Sequence, residues 1–211
     1  MSGRAFGLAA FLALAVPQAA VAQDPRLGRL DAETRTAVTA LLDSARAGGL
    51  PTEPLLDRAL EGAAKGAAKE QIVAATRRLA GHLARARDAL GTKASPAELE
   101  AGAAALRAGV DSTMLSALRR SRPRQSLTVP LAVLADLVTS GVPADTAARA
   151  VLALAPFVGD DALIEFRRDV DRDIALGAPP AGAAMVRGGS ILDAFSQGDR
   201  PSNPPPGPRR P

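Results

Sequence analysis

Four places in the chain hold residue types that can do chemistry. The first is His82, the single histidine. An imidazole titrates near neutral pH and serves as a general base or a metal ligand, provided that a nucleophile, a substrate group or further ligands stand beside it. The chain has no cysteine. Disulfides, thiolate nucleophiles and thiolate metal sites are therefore excluded, and one histidine cannot build a histidine-rich metal centre within one chain. On a helix spanning 69–90, His82 falls at the edge of the apolar stripe, which reads as a boundary residue.

The second place is Asp169-Val170-Asp171-Arg172-Asp173. Alternating acids suit a calcium loop, but that loop also needs a glycine turn and a later glutamate. Here Val170 and Ile174 continue a helical stripe. Alternate residues on a helix point about 200° apart, so the three carboxylates diverge. The expectation is a solvated face laced by pairs such as Glu165–Arg168 and Asp169–Arg172.

The third place is the run Arg119, Arg120, Arg122 and Arg124, with no acid among them. Arginines at a helix C-terminus favour the dipole there. The same four residues also form the one local charge cluster of the folded part. They are the candidate anion or partner patch, suited to a phosphate, an acidic lipid head group or an acidic partner. The fourth place is the paired acids Glu98 with Glu100 and Asp160 with Asp161, which open helices where the dipole favours them. No nucleophile elbow, phosphate loop or dinucleotide fingerprint is present. No catalytic, cofactor-binding or metal-binding constellation emerges.

The elements that must position these residues are helical. Apolar residues recur at helix spacing in Val38, Leu41, Leu42 and Ala45, and in Ile72, Leu79, Leu83, Ala86 and Leu90. Leu99, Ala103, Leu106 and Val110 repeat the pattern, as do Leu127, Leu131, Leu134 and Val138, and Leu163, Phe166, Val170 and Ile174. The β-branched run 127–134 is assigned to a helix, because Pro130 fits a first helical turn and would deny a strand one ladder bond. Ser95-Pro96-Ala97-Glu98 reads as a capping box with proline at the first helical position. Ser190-Ile191-Leu192-Asp193 is a weaker box, after Gly188-Gly189 that should break the last helical region in two.

Glycines mark the corners. Gly49, Gly109, Gly141 and Gly177 each follow an apolar-periodic segment and precede another, with Leu50, Val110, Val142 and Ala178 next in line. That is the pattern of a helix ending in a left-handed glycine, with the next residue packing back on the last turn. In the first three cases that last turn would offer Ala45, Ala105 and Leu137. Proline or aspartate then opens the next helix. In the stretch GGLPTEPLLDRALEG, the same logic makes Pro51 to Pro54 a first turn and Gly62 the start of an exit. The fold class is all-α, with about nine or ten helices in αα-hairpin pairs, forming a compact orthogonal bundle or an irregular α-solenoid.

Composition sets the remaining bounds. The 211 residues are 47% hydrophobic and only 2% aromatic, so the core is built from Leu, Ala and Val. The net charge is +4, but Arg4, Arg200, Arg209, Arg210 and Asp199 lie at the two ends. Without them the middle has 22 basic and 21 acidic residues, which is no nucleic-acid footprint. Residues 1–22 read as a cleaved signal peptide: Arg4, the apolar run Phe6–Val16, and the cleavage pattern Ala20-Val21-Ala22 ahead of Gln23. That run is too short to span a bilayer. The Ala/Arg-rich composition points to a bacterium, and so to a periplasmic or secreted product. Residues 23–197 form a single all-α domain, and 198–211 a disordered Pro/Arg-rich tail. The sequence thus points to an exported helical scaffold, not an enzyme, that binds a protein, a peptide or an envelope component. A small-ligand-binding helical protein is the alternative, ahead of an enzyme using carboxylates and arginine. A weak contact with anionic surfaces is also expected, and neither nucleic acid nor a transmembrane segment in the mature chain.

Overall fold

Among the described residues the apolar stripes of the sequence become the buried faces of nine α-helices. The computed structural model describes residues 24–198. The signal-peptide expectation for 1–22 and the tail from 199 onward lie outside those residues. A 3₁₀ turn at Pro25–Arg29 leads into α1 (Ala32–Ala47), α2 (Glu53–Ala64), α3 (Lys69–Leu90), α4 (Pro96–Ala108) and α5 (Ser112–Ser121). After these come α6 (Thr128–Thr139), α7 (Ala144–Leu154), α8 (Asp160–Ala175) and α9 (Pro180–Gly198). Among the described residues all regular structure is helical, and no helix is long and apolar enough to cross a membrane.

Packing proceeds in chain order. The main pairings join α1 with α3, α2 with α3, α3 with α4 and α5, α4 with α6, α6 with α7 and α8, and α7 and α8 with α9. Each joins helices no more than two positions apart, so each unit is covered by its neighbours in sequence, as in stacked helix pairs. One buried cluster nonetheless runs from Leu27 to Ala184. Leu55, Leu83, Leu115, Leu131, Leu154 and Leu163 are fully buried in it, and Phe166 is its largest side chain. Small residues allow close approach. A Cβ on Gly102 would stand 3.1 Å from both Ala86 and Leu90, so α4 lies close against α3 there.

The four expected corner glycines have φ of 65° at Gly49, 104° at Gly109, 94° at Gly141 and 96° at Gly177. Each corner carries the same two backbone bonds. At the second, the Val110 N–H donates to the Ala105 carbonyl at 3.1 Å and the Gly109 N–H to that of Leu106 at 3.2 Å. Ala45, Ala105 and Leu137 are all buried at the matching positions. A fifth corner of this kind, at Gly66 with φ 68°, closes α2. The exit expected at Gly62 therefore comes four residues later, and Gly62 instead lets α2 approach Ile72 on α3.

Two further boundaries differ from the sequence reading. Gly188-Gly189 does not break the last helix, which runs unbroken to Gly198, the first residue assigned to the tail. Two helical glycines cost about 1 kcal/mol each against alanine. Here Gly188 faces Ala150 and Phe166, and the packing of α9 on α7 and α8 holds the helix through both glycines. Ser190 is no cap; its hydroxyl donates to the Val186 carbonyl one turn back. The helix after Gly49 starts at Glu53 rather than Pro51, with Pro54 in its first turn.

Candidate functional site

Glu98 ties three helices together. It sits at the third position of α4 and completes the capping box there. Ser95 Oγ accepts from the Glu98 N–H at 3.2 Å, and Glu98 Oε2 accepts from the Ser95 N–H at 2.8 Å. Its other oxygen, Oε1, accepts from Arg119 Nη2 at 2.6 Å and from the Leu127 N–H at 2.8 Å. Arg119 stands in the last turn of α5, and Leu127 is the residue before α6. Glu98 is 6% exposed. Burial by itself pushes its carboxyl up, but hydrogen bonds from the Ser95 and Leu127 backbones and from Arg119 outweigh that. The carboxyl is held below its ordinary value, so a charged and saturated acceptor lies inside the helix junction.

The four arginines expected to form one patch go to different places. Arg122 is only 4% exposed. Its Nε donates to the Ala155 carbonyl at 2.6 Å, its Nη1 to Asp160 Oδ1 at 2.8 Å, and its Nη2 to the Val158 carbonyl. A buried guanidinium with all three nitrogens engaged is a structural tie between the end of α5 and the α7–α8 connection. Arg119 is half-buried; Nη1 reaches the Gln125 carbonyl at 3.2 Å, while its buried Nε has no partner among the described residues. Arg120 and Arg124 are exposed. The run is therefore not one surface cluster. Adjacent residues on a helix end point in different directions, and one of these directions leads into the core.

Arg119 and Arg124 meet again in an open cleft of about 670 Å³ between the α3–α4 and α5–α6 connections. Thr92 and Lys93 line it from one side, Gln125 and Ser126 from the other, and Glu98 lies at its base. Lys93 was not singled out in the sequence, since it is an isolated cation in a turn. A second groove, of about 270 Å³, lies between α7 and α9. Ala150, Ala153, Gly188 and Gly189 form its shallow floor, with Met185 and Leu192 at its side. Met185 is 61% exposed and Val186 66%; Phe195 further along α9 is exposed too. Met185, Leu192 and Phe195 are seven and ten residues apart, and so share one side of the helix. A third hollow, between α2 and α3, is lined by Glu61 paired with Arg58 and Lys65, and by Arg78, which has no ion pair among the described residues.

The other sequence candidates stay apart. His82 is half-buried on α3, with Nδ1 2.8 Å from Arg85 Nη2. Burial, and then the nearby Arg85 and Arg107, lower its pKa, so the ring is neutral at neutral pH. The three acids of α8 do not converge on one point: Asp171 faces away, while Asp169 and Asp173, one turn apart, both approach Arg187. Asp169 pairs with Arg172 at 2.6 Å, Asp171 with Arg167 at 2.8 Å, and Asp173 with Arg187 at 2.7 Å. The pair Glu165–Arg168 forms as well, at 2.5 Å. Among the described residues no three His, Asp or Glu side chains are placed to hold a metal ion. Comparison with known proteins finds no matching family model, no matching curated protein and no matching solved structure.

Proposed function

We propose that the protein works by binding rather than by catalysis, as an exported helical scaffold that holds a protein partner in the α7–α9 groove. The observation behind this reading is the edge of α9. Large apolar side chains on a soluble helix are normally turned inward, yet Met185 is exposed at the wall of a groove floored by alanine and glycine, and Phe195 is exposed further along the same side of the helix. A small-residue floor with apolar walls accepts the apolar stripe of an amphipathic helix. Arg149, exposed at one end of the groove, offers a cation to the partner's acidic flank. Export rests on Arg4, the apolar run Phe6–Val16 and the Ala20-Val21-Ala22 pattern.

The test is a photo-crosslinking phenylalanine at position 189, introduced into the full-length chain in its native host. A discrete adduct is expected from the envelope fraction, on a chain whose N-terminus by mass spectrometry is Gln23. The adduct should vanish in Met185→Glu, an exposed change that leaves the melting temperature within a degree or two. Absence of a discrete adduct, or one indifferent to Met185→Glu, would overturn the binding role of the groove. A chain that keeps residues 1–22 in the cytoplasm would overturn export.

A further inference from the structure

The cleft above Glu98 carries more cationic than anionic side chains. Lys93, Arg119 and Arg124 bring cations to it from three separate segments: the α3–α4 turn, the end of α5 and the α5–α6 connection. Lys93 and Arg124 are exposed and pair with no carboxylate among the described residues. The backbone N–H groups of Thr92, Lys93, Arg124 and Gln125 donate to no carbonyl among the described residues, which leaves them for a ligand or water. The single carboxylate of the lining does not cancel this. Glu98 is buried with both oxygens occupied, so it offers an incoming group no acceptor and neutralises Arg119 alone. The helix N-terminus of α4 plays no part, since its cap is already filled by Ser95 and Glu98.

We propose that this cleft is a binding site for a phosphoryl group, in a small anionic ligand separate from the partner of the α7–α9 groove. The choice of a phosphoryl group follows from the arrangement. One arginine satisfies a planar carboxylate through two parallel hydrogen bonds. Two unpaired cations, Lys93 and Arg124, and amides arriving from the two facing segments suit an anion with oxygens on every side and a double charge. The volume of about 670 Å³ exceeds the need of a free ion and leaves room for an organic remainder. Arg120 belongs to the same arginine run but does not line the cleft, which provides an internal control.

The experiment is titration calorimetry on the purified chain at moderate ionic strength. The probes are inorganic phosphate, glycerol phosphate as a phosphomonoester, and succinate as a dicarboxylate. Saturable binding of both phosphates, and weaker binding of succinate, is expected. Tighter binding of glycerol phosphate would identify an esterified ligand; tighter binding of inorganic phosphate would identify the free ion. Lys93→Ser and Arg124→Ser should each weaken binding about tenfold, the worth of one charge-assisted hydrogen bond, and Arg120→Ser should not. All three side chains are exposed, so unchanged thermal melting is expected and excludes misfolding as the cause. No saturable binding of either phosphate would overturn the proposal. Equal binding of succinate would overturn it too, as would equal weakening by Arg120→Ser.

Discussion

The corners at Gly49, Gly66, Gly109, Gly141 and Gly177 and the connections α5–α6 and α7–α8 all turn the chain from one helix to the next, by different chemistry. The glycine corners are closed by backbone bonds spanning five residues or fewer, with one residue in the left-handed conformation. The other two are also held by side chains from far away, in α7–α8 on top of local backbone bonds. Arg122 holds the carbonyls of Ala155 and Val158, more than thirty residues on, and Glu98 holds the N–H of Leu127, 29 residues on. A glycine corner therefore stands or falls alone. A side-chain tie links two helix junctions, and its loss exposes buried polar groups in both.

Arg122→Ala should have the largest effect on this contrast. It strands two carbonyls under the α7–α8 connection and leaves a cavity where a buried guanidinium stood. Each stranded buried carbonyl costs about 1–3 kcal/mol, while the exposed Asp160 carboxylate returns to water, so the loss is about 2–5 kcal/mol in all. A drop of that size in the urea midpoint stability is expected, with increased hydrogen exchange at both ends of the tie, in 155–160 and 119–127. Exchange changes confined to residues 119–127 would show that the two junctions are independent.

Glu98→Gln comes next. The amide keeps one acceptor oxygen but loses the charge that faces Arg119, and its nitrogen cannot accept from a backbone N–H. Loss of a charged hydrogen bond costs about 2 kcal/mol at neutral pH. The same residue gives the acid limb its sign. Glu98 has its pKa lowered in the folded state, so its contribution is fully present above the unfolded carboxylate value near ~4.3 and is lost as the pH falls through that value toward the lower folded one. Stability of the native protein should therefore fall more steeply below about pH 4.3 than that of Glu98→Gln. Parallel acid limbs would place the carboxyl's stabilisation elsewhere.

The same contrast explains what the sequence showed. Gly109, Val110 and Asp111 announce a corner because every atom involved lies within a few residues, and the helix stop is local chemistry. Ser95 and Glu98 announce a cap for the same reason. Nothing near Glu98 announces Leu127, and nothing in the arginine run tells that Arg122 turns inward while Arg120 and Arg124 stay in water. Those directions are set by where α7 and α8 pack, which local periodicity does not contain. Gly188-Gly189 failed as a helix break through the same blindness, since the packing of α9 on α7 and α8 holds the helix there. Of the cleft, the two arginines were legible and Lys93 was not.

The smallest effect should come from a glycine corner. At Gly109 a Cβ would meet nothing within 4 Å, so Gly109→Ala is a test of backbone conformation alone. A non-glycine residue held at φ near 104° costs about 1–2 kcal/mol, and the alanine chain's smaller unfolded-state entropy returns roughly half of the lower figure. The expected net loss is about 1 kcal/mol, seen as a fall of roughly 2–4 °C in melting temperature for a fold of this size. Asparagine, which tolerates the left-handed region, should cost less than alanine. Hydrogen exchange should rise only around 105–112, where the Ala105 and Leu106 carbonyls take the closing bonds. If the disturbance instead reached 119–127, the glycine corner would be coupled to the Glu98 tie through α4, and the division between local corners and long-range ties would fail.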